Sequence, residues 1–344
     1  MARRIALVFL VLLVLVCSGC KSEPVAQNPE PPKTNPEPPP PPPPPPQAES
    51  PLSGRLVNPD VVSRRAIAVM MDNSLTARPQ SGLGNASIVY EILAEGGITR
   101  LLAVFHENDA DIIGPVRSTR HYFVWVAAGH DAVFAHCGAS PQGYAELQQL
   151  KVPSLDDMKM RDVFWRMQGR SAPHNLYTST ANLRAAMAER KMEKDDVPVP
   201  LLEWTDDEPE GTKAHSITIP YQGGASYVAS YEYDEASQMY RRFSGGNLHV
   251  DATSGLQIEC STVLVFYIDT WLIPQDPELR IDMQMVGSGK ARIFSHGVQR
   301  EIRWSKDSKT SPFVLTELDG TPVKAPRGRV WIQIVPKDMQ ISFK

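Results

Sequence analysis

The sequence predicts an α+β protein, with an N-terminal α/β three-layer domain followed by a mostly antiparallel β domain. Three observations predict it. In the first half, short apolar runs containing β-branched residues alternate with capped helical patterns, a rhythm that builds layered α/β structure. Beyond His215 the chain changes to short alternating runs such as SITIPY, SYVASYEYD and RVWIQIV, separated by Gly223-Gly224, Gly245-Gly246 and Asp319-Gly320. The body after Ser53 holds about 290 residues, enough for two cores.

The elements follow in order. Arg3 and Arg4 precede an unbroken apolar stretch from Ile5 to Val16, then Cys17, Ser18, Gly19 and Cys20. The stretch is shorter than the roughly 20 residues of a membrane span and ends in small residues, so residues 1–20 read as a signal peptide. Small residues ending on Cys20 resemble a bacterial lipobox, although Cys17 stands where leucine is usual. An ordinary secretory leader and an uncleaved anchor are the alternatives. Residues 21–53 are dominated by Pro, Glu, Asn and Gln, with an unbroken proline run from Pro38 to Pro46. Such a composition cannot bury a core, and as polyproline II about 30 residues would reach about 90 Å. Reach is the simplest role for it; a docking motif for a proline-binding domain is the other.

In residues 54–205, Ala66–Asp72 reads as a strand, Ala86–Ala94 as a helix capped by Asn85, and Leu101–Phe105 as a strand. Ser118–Ala128 follows as a helix, Ala132–Ala135 as a strand, Pro141–Leu150 as a helix and Ala181–Met192 as a last helix, stopped before Pro198 and Pro200. Residues 206–344 are the β-rich part, with the boundary between residues 195 and 215.

Between Ala66 and Leu150 there are four arginines (Arg78, Arg100, Arg117, Arg120), eight carboxylates and no lysine. Arginine presents a planar fork suited to fixed pairing. Arg117 and Arg120 flank Ser118 at a predicted helix start, where a cation opposes the helix dipole by about 0.3–1 kcal/mol. Either a bound anion compensates, since helix-start amides bind anions, or Asp72, Glu91 and Glu95 do. The loop Thr76–Gly82 leaves the first strand, and Asp72, Asn73, Arg78 and Ser140 fall at strand ends, where open α/β sheets bind ligands. His174, beside Asn175 in the polar loop APHNLY, is the most suggestive of the 8 histidines as a general base. A surface or scaffold role is the alternative for it.

No metal site is expected, because His249 and Asp251 alone are too few ligands, and no cofactor motif is present. A formal charge of −4 leaves no basic footprint for nucleic acid. Cys137 and Cys260, the cysteines of the body, read as two buried thiols, with a cross-link as the alternative.

The segments AVMMDNSLTARPQSGL, IVYEILAEGGITRLLAVF, IGPVRSTRHYF, GASPQGY and APHNLY together resemble the YerB-type family of bacterial lipoproteins, described mainly as a domain of unknown function. The resemblance nearly spans the body, and Gly287–Pro336 is its clearest part in the second half. It implies an extracytoplasmic lipoprotein with an α/β part and a β-rich part, and no established activity. The family's recurring positions correspond to Asp72, Asn73, Arg78, Pro79, Gln80, Glu91, Glu95, Arg100, Arg117, Arg120, Ser140, His174 and Asn175.

Three functions are then open. The first is a membrane-anchored module, held to the bilayer through Cys20, whose arginines bind an anionic small molecule or cell-wall component. The second is a hydrolase or transferase on phosphorylated cell-wall intermediates, with Asp72 or His174 as acid or base. The third is a structural protein in which arginines and glutamates form a buried network.

Overall fold

The computed structural model describes residues 46–344. The expectations placed on the signal peptide, on Cys20 and on most of the tether lie outside the described residues. Among the described residues the protein is α+β, with three α-helices and most strands gathered into two large sheets. No helix among them is long and apolar enough to cross a membrane.

The first half runs β1 (Ile67–Asp72), β2 (Ile88–Leu93), β3 (Thr99–Phe105), α1 (His121–Gly129), β4 (Val133–His136), α2 (Pro141–Gln149), β5 (Ser154–Asp156) and α3 (Thr180–Glu189). The second half contributes β6 (Thr212–Lys213), β7 (Ser216–Pro220), β8 (Val228–Asp234), β9 (Met239–Ser244), β10 (Asn247–Leu248) and β11 (Glu259–Cys260). It continues with β12 (Thr262–Ile268), β13 (Gly287–Ser295), β14 (Val298–Lys306), β15 (Val314–Thr316), β16 (Val330–Pro336) and β17 (Ser342–Phe343).

The larger sheet has eleven strands in the order β6-β14-β13-β12-β16-β2-β3-β1-β4-β5, with β15 added beside β14. It passes without a break from one half of the chain to the other. The join is β16, which lies parallel to β12 on one side and parallel to β2 on the other, Gln333 standing opposite Glu91. β1, β4 and β5 are mutually parallel and end on Asp72, His136 and Asp156, whereas β3 runs antiparallel to β1 and β2.

Two apolar cores lie on opposite faces of this sheet. Ala68 and Met70 of β1 pack with α1 and with Leu147 of α2; Ile67, Val69 and Met71 face Leu183 and Met187 of α3 and the smaller sheet through Ile217 and Tyr231. The alternation along β1 is the period of two expected of a strand covered on both faces. The smaller sheet, β10-β9-β8-β7-β17 with β11 beside β9, is antiparallel throughout.

Three sequence expectations need correction. Residues 48–53 do not belong to a tether: Ala48–Glu49 pairs with Leu56–Val57, and Ser50, Leu52 and Ser53 are buried, Leu52 in the core beside α1. The segment Ala86–Ala94 is not a helix: residues Ile88–Leu93 are β2, all six buried, paired with β3 and β16. A strand buried on both faces loses its polar/apolar alternation, so Ile-Val-Tyr-Glu-Ile-Leu has no readable period and its β-branched and aromatic content is the better guide. The helix expected from Ser118 begins at His121, with Arg120 as its N-cap in extended conformation. Arg117 therefore lies on the chain entering the helix, not in its first turn. The remaining first-half elements fall within a few residues of their expected places; α3, for instance, begins where the Ser179 hydroxyl accepts from the Asn182 amide at 3.0 Å.

Candidate functional site

The end of β1 is the centre of the site. Asp72 is its last residue, and residues Gly114–Thr119 run past it: the Arg117 amide donates to the Met70 carbonyl at 2.8 Å and the Val116 amide to the Leu176 carbonyl at 2.7 Å. Gly114 has φ +155°, and a Cβ there would stand 2.7 Å from the Leu176 carbonyl oxygen, so only glycine lets these segments meet. The loop carrying His174 is clamped from the other side. Arg170 donates through Nη1 to the Ala77 carbonyl at 2.9 Å and through Nη2 to the Pro79 carbonyl at 2.8 Å, tying it to the loop that leaves β1. Asn175 braces it, donating to the Arg170 carbonyl at 3.1 Å and accepting from Arg166 at 3.1 Å.

These supports bring Asp72 and His174 together. His174 Nδ1 lies 2.7 Å from Asp72 Oδ2, with the Ser74 hydroxyl 3.2 Å from the same nitrogen. A carboxylate can only accept, so Nδ1 carries a proton, and the neutral form of the ring is the tautomer with its lone pair on Nε2. Burial pushes the Asp72 carboxyl up, but the Ser74 amide, His174 and the Arg117 charge outweigh it and hold it below its usual range. Arg117 Nε is 3.4 Å from Asp72 Oδ2, and its side chain is 30% exposed.

Arg100 and Arg120 converge on Ser118 from the other flank. Arg100 donates to the Ser118 carbonyl, and Nη1 atoms of Arg100 and Arg120 lie 3.4 and 3.3 Å from the Ser118 hydroxyl. Their counter-charge is Glu95, which accepts two hydrogen bonds from Arg120, one at 2.9 Å, and lies 3.5 Å from Arg100. Burial raises the Glu95 carboxyl, yet Arg120 and Arg100 bring it below its normal value; burial lowers Arg100 to about 10. Three guanidinium groups thus share two carboxylates, Arg117 with Asp72 and Arg100 and Arg120 with Glu95, the latter two beside the Ser118 hydroxyl.

The other predicted residues join a second, buried network. Glu91, 1% exposed, accepts from Thr99 at 2.8 Å, from Asn73 at 3.2 Å, from Gln333 at 2.9 Å and from Arg242. Burial raises its carboxyl, but Arg242 foremost, then Gln333 and Thr99, hold it low. Arg242 is 0% exposed and lies over the Trp331 ring at 4.4 Å. His249 extends the chain to Gln80, accepting from Arg242 at 2.9 Å through Nδ1 and donating through Nε2 to Gln80 Oε1 at 2.9 Å. Gln80 donates in turn to Asn73 Oδ1 at 2.9 Å. Burial, then the charges of Arg242 and Arg78, keep His249 neutral far below its ordinary range.

Sequence reasoning missed Arg242. In Met239–Ser244 the inward positions are Tyr240, Arg242 and Ser244, while Phe243 is half-buried, so the pattern reads inverted. Of the predicted residues, Asp72, Arg100, Arg117, Ser118, Arg120, Glu95 and His174 gather at the end of β1, whereas Asn73 and Glu91 point into the network. Ser140 is the N-cap of α2, accepting from the Gly143 amide at 3.1 Å. Arg78 faces the second half, donating to the Ser226 carbonyl at 2.7 Å. Among the described residues no three His, Cys, Asp or Glu side chains gather as a metal-binding group, and Cys137 and Cys260 are free thiols.

Two family models match the chain, "Protein of unknown function (DUF3048) N-terminal domain" over residues 52–193 and the corresponding C-terminal domain over residues 217–332. A relative from Bacillus subtilis (strain 168), named "Putative lipoprotein YerB", is 33% identical over 302 residues, covering 84% of this chain and 86% of its own length. A crystal structure of YerB protein from Bacillus subtilis superposes with a TM-score of 0.77 at 31% identity, covering 86% of this chain and 99% of that one.

Proposed function

The chain belongs to the DUF3048 family of YerB-like lipoproteins, and from that premise we propose that it is anchored outside the cytoplasm through an acyl chain on Cys20 and binds an anionic, envelope-associated ligand at the end of β1. The observation that carries the binding reading is the charge excess at the end of β1: among the described residues, Arg100, Arg117 and Arg120 have only Asp72 and Glu95 at ion-pair distance. Arg117 is the most exposed of the three, 30% against 10% and 12%, and meets its carboxylate through Nε at 3.4 Å, so a phosphate or carboxylate would meet it first. Residues 21–45, ahead of the buried Ser50, Leu52 and Ser53, would serve as the tether that carries this surface clear of the bilayer.

Location is tested by Cys20→Ala. The wild-type chain is expected to incorporate labelled fatty acid and to stay with membranes, and the variant to lose the label; a label that persists in the variant excludes acylation at Cys20.

A second reading has its own observation, the Asp72–His174 pair. A carboxylate that accepts from Nδ1 fixes the imidazole orientation and the tautomer whose Nε2 can take a proton, as a general base requires, which suits a hydrolase or transferase acting on phosphorylated cell-wall intermediates. Calorimetry with inorganic phosphate separates the two. Under the binding reading Arg117→Ala weakens phosphate by about 10- to 100-fold, the range of a lost hydrogen bond between charged groups, and His174→Gln changes little. Phosphate affinity that ignores Arg117→Ala sinks the binding reading. Phosphate release from an isolated envelope fraction, abolished by His174→Gln while binding persists, establishes the enzymatic one.

A further inference from the structure

Arg78 behaves unlike the other three arginines between Ala66 and Leu150. Arg100, Arg117 and Arg120 each have a carboxylate at ion-pair distance, and Glu91, the acid whose charge most supports Arg78, is spent on Arg242. Arg78 has no ion pair among the described residues. Its Nε donates to Asn73 Oδ1 at 3.1 Å, its Nη1 to the Ser226 carbonyl at 2.7 Å, and the guanidinium lies over the Tyr227 ring at 4.9 Å. Its Nη2 is out of solvent and has no partner. A guanidinium held flat on an aromatic ring by two neutral acceptors, with one donor group unspent, has its orientation fixed and its charge unanswered.

The same arginine lines a cavity of about 300 Å³ between the loop that leaves β1 and the β9–β10 hairpin. Ser226 and Ser244 add polar surface, and Leu75, Pro79 and Leu248 add apolar surface. Leu75 and Leu248 are 54% and 58% exposed, two large aliphatic side chains left in water on opposite halves of the chain beside one unanswered charge. Scattered exposed leucines need no explanation, but here both line the same cavity as the free cation.

We infer that this cavity is a carboxylate-binding pocket in which Arg78 takes the acid group of a ligand and Leu75 and Leu248 enclose a short aliphatic group beside it. The ligand class is an N-acylated amino acid or peptide end with a free carboxylate and a branched or small apolar side chain. The planar carboxylate matches the arginine fork, and a cavity of this volume admits one such residue. The pocket goes beyond the Ser118 cluster, because Arg78 makes no direct contact with Arg117, Ser118 or His174.

Calorimetry on the full chain tests this with N-acetyl-leucine, its amide and inorganic phosphate as probes. N-acetyl-leucine is expected to bind saturably, and both the amide and Arg78→Gln to weaken it by about 10- to 100-fold. Leu248→Ser, at an exposed position that the fold does not depend on, is expected to weaken it several-fold, which covers the case in which Arg78→Gln disturbs folding. Equal affinity for acid and amide, or N-acetyl-leucine binding unchanged in both variants, overturns the inference. So does binding lost in Arg117→Ala but kept in Arg78→Gln, which would assign the carboxylate to the other cluster. Phosphate affinity reports on the Ser118 reading alone and is expected to survive Arg78→Gln.

Discussion

Replacing Arg242 by methionine is expected to destabilise the protein by about 3–5 kcal/mol at neutral pH, the cost of leaving a buried charge without its partner. Glu91 is 1% exposed and has Arg242 as its only cationic neighbour at ion-pair distance among the described residues. The double change Glu91→Gln with Arg242→Met removes both charges and should recover most of the loss, because a buried ion pair exchanged for uncharged side chains of similar size is often near neutral. Urea denaturation of the wild type, the single variant and the double variant measures all three. A single variant as stable as the wild type would mean that water reaches Glu91.

The pH dependence carries a sign that distinguishes this mechanism from simple loss of packing. In the wild type the Glu91 carboxyl sits below its ordinary 4.5, so its contribution is present above that value and lost as pH falls through the folded pKa. In Arg242→Met the unpaired buried carboxyl moves above 4.5, so its stabilising form is the protonated one and is lost as pH rises. The deficit of the variant should therefore shrink as pH falls from 7 towards 4.5. A constant deficit across that window would point to lost packing against Trp331 and Tyr231 instead.

The second large effect concerns the two halves. Residues 54–205 expressed alone are expected to aggregate, and to become soluble when residues 206–344 are co-expressed. Without the second half, β2 loses β16 and becomes an edge strand of six apolar or buried residues, the kind of edge that pairs with other chains. The face of β1 that carries Val69 and Met71 would lose the cover of the smaller sheet, and Glu91 would lose both Arg242 and Gln333. Co-purification of the two pieces with a single cooperative unfolding transition checks this. A soluble N-terminal piece that unfolds cooperatively by itself would show that the shared sheet is dispensable.

Much of the N-terminal half was legible because its signals are local. Ala66–Asp72 is apolar up to a terminal acid, Ser140 and Ser179 stand where helix caps belong, and turn glycines separate the strands of the second half. The polar residues that meet at the end of β1 were also legible as a set, since Asp72, Arg117 and His174 each sit in a short segment rich in Gly, Pro and polar residues between apolar runs. Their partners were not. Nothing in the spacing of these arginines and acids along the chain says that Arg120 and Arg100 close on Glu95 while Arg117 closes on Asp72, because charges pair through space.

By itself, then, the sequence determined a proline-rich segment, an α+β body and the short list of arginines, acids and one histidine worth watching. Only the tertiary structure decided that Ile88–Leu93 is a strand buried on both faces, since one of its two partner strands, Val330–Pro336, lies more than two hundred residues away. It also decided that Arg242 is the buried counter-charge of Glu91 and that, of the four arginines between Ala66 and Leu150, Arg78 is the one without a carboxylate at ion-pair distance. Burial removes water as a partner, and each charge must then find its counterpart wherever packing happens to have placed one.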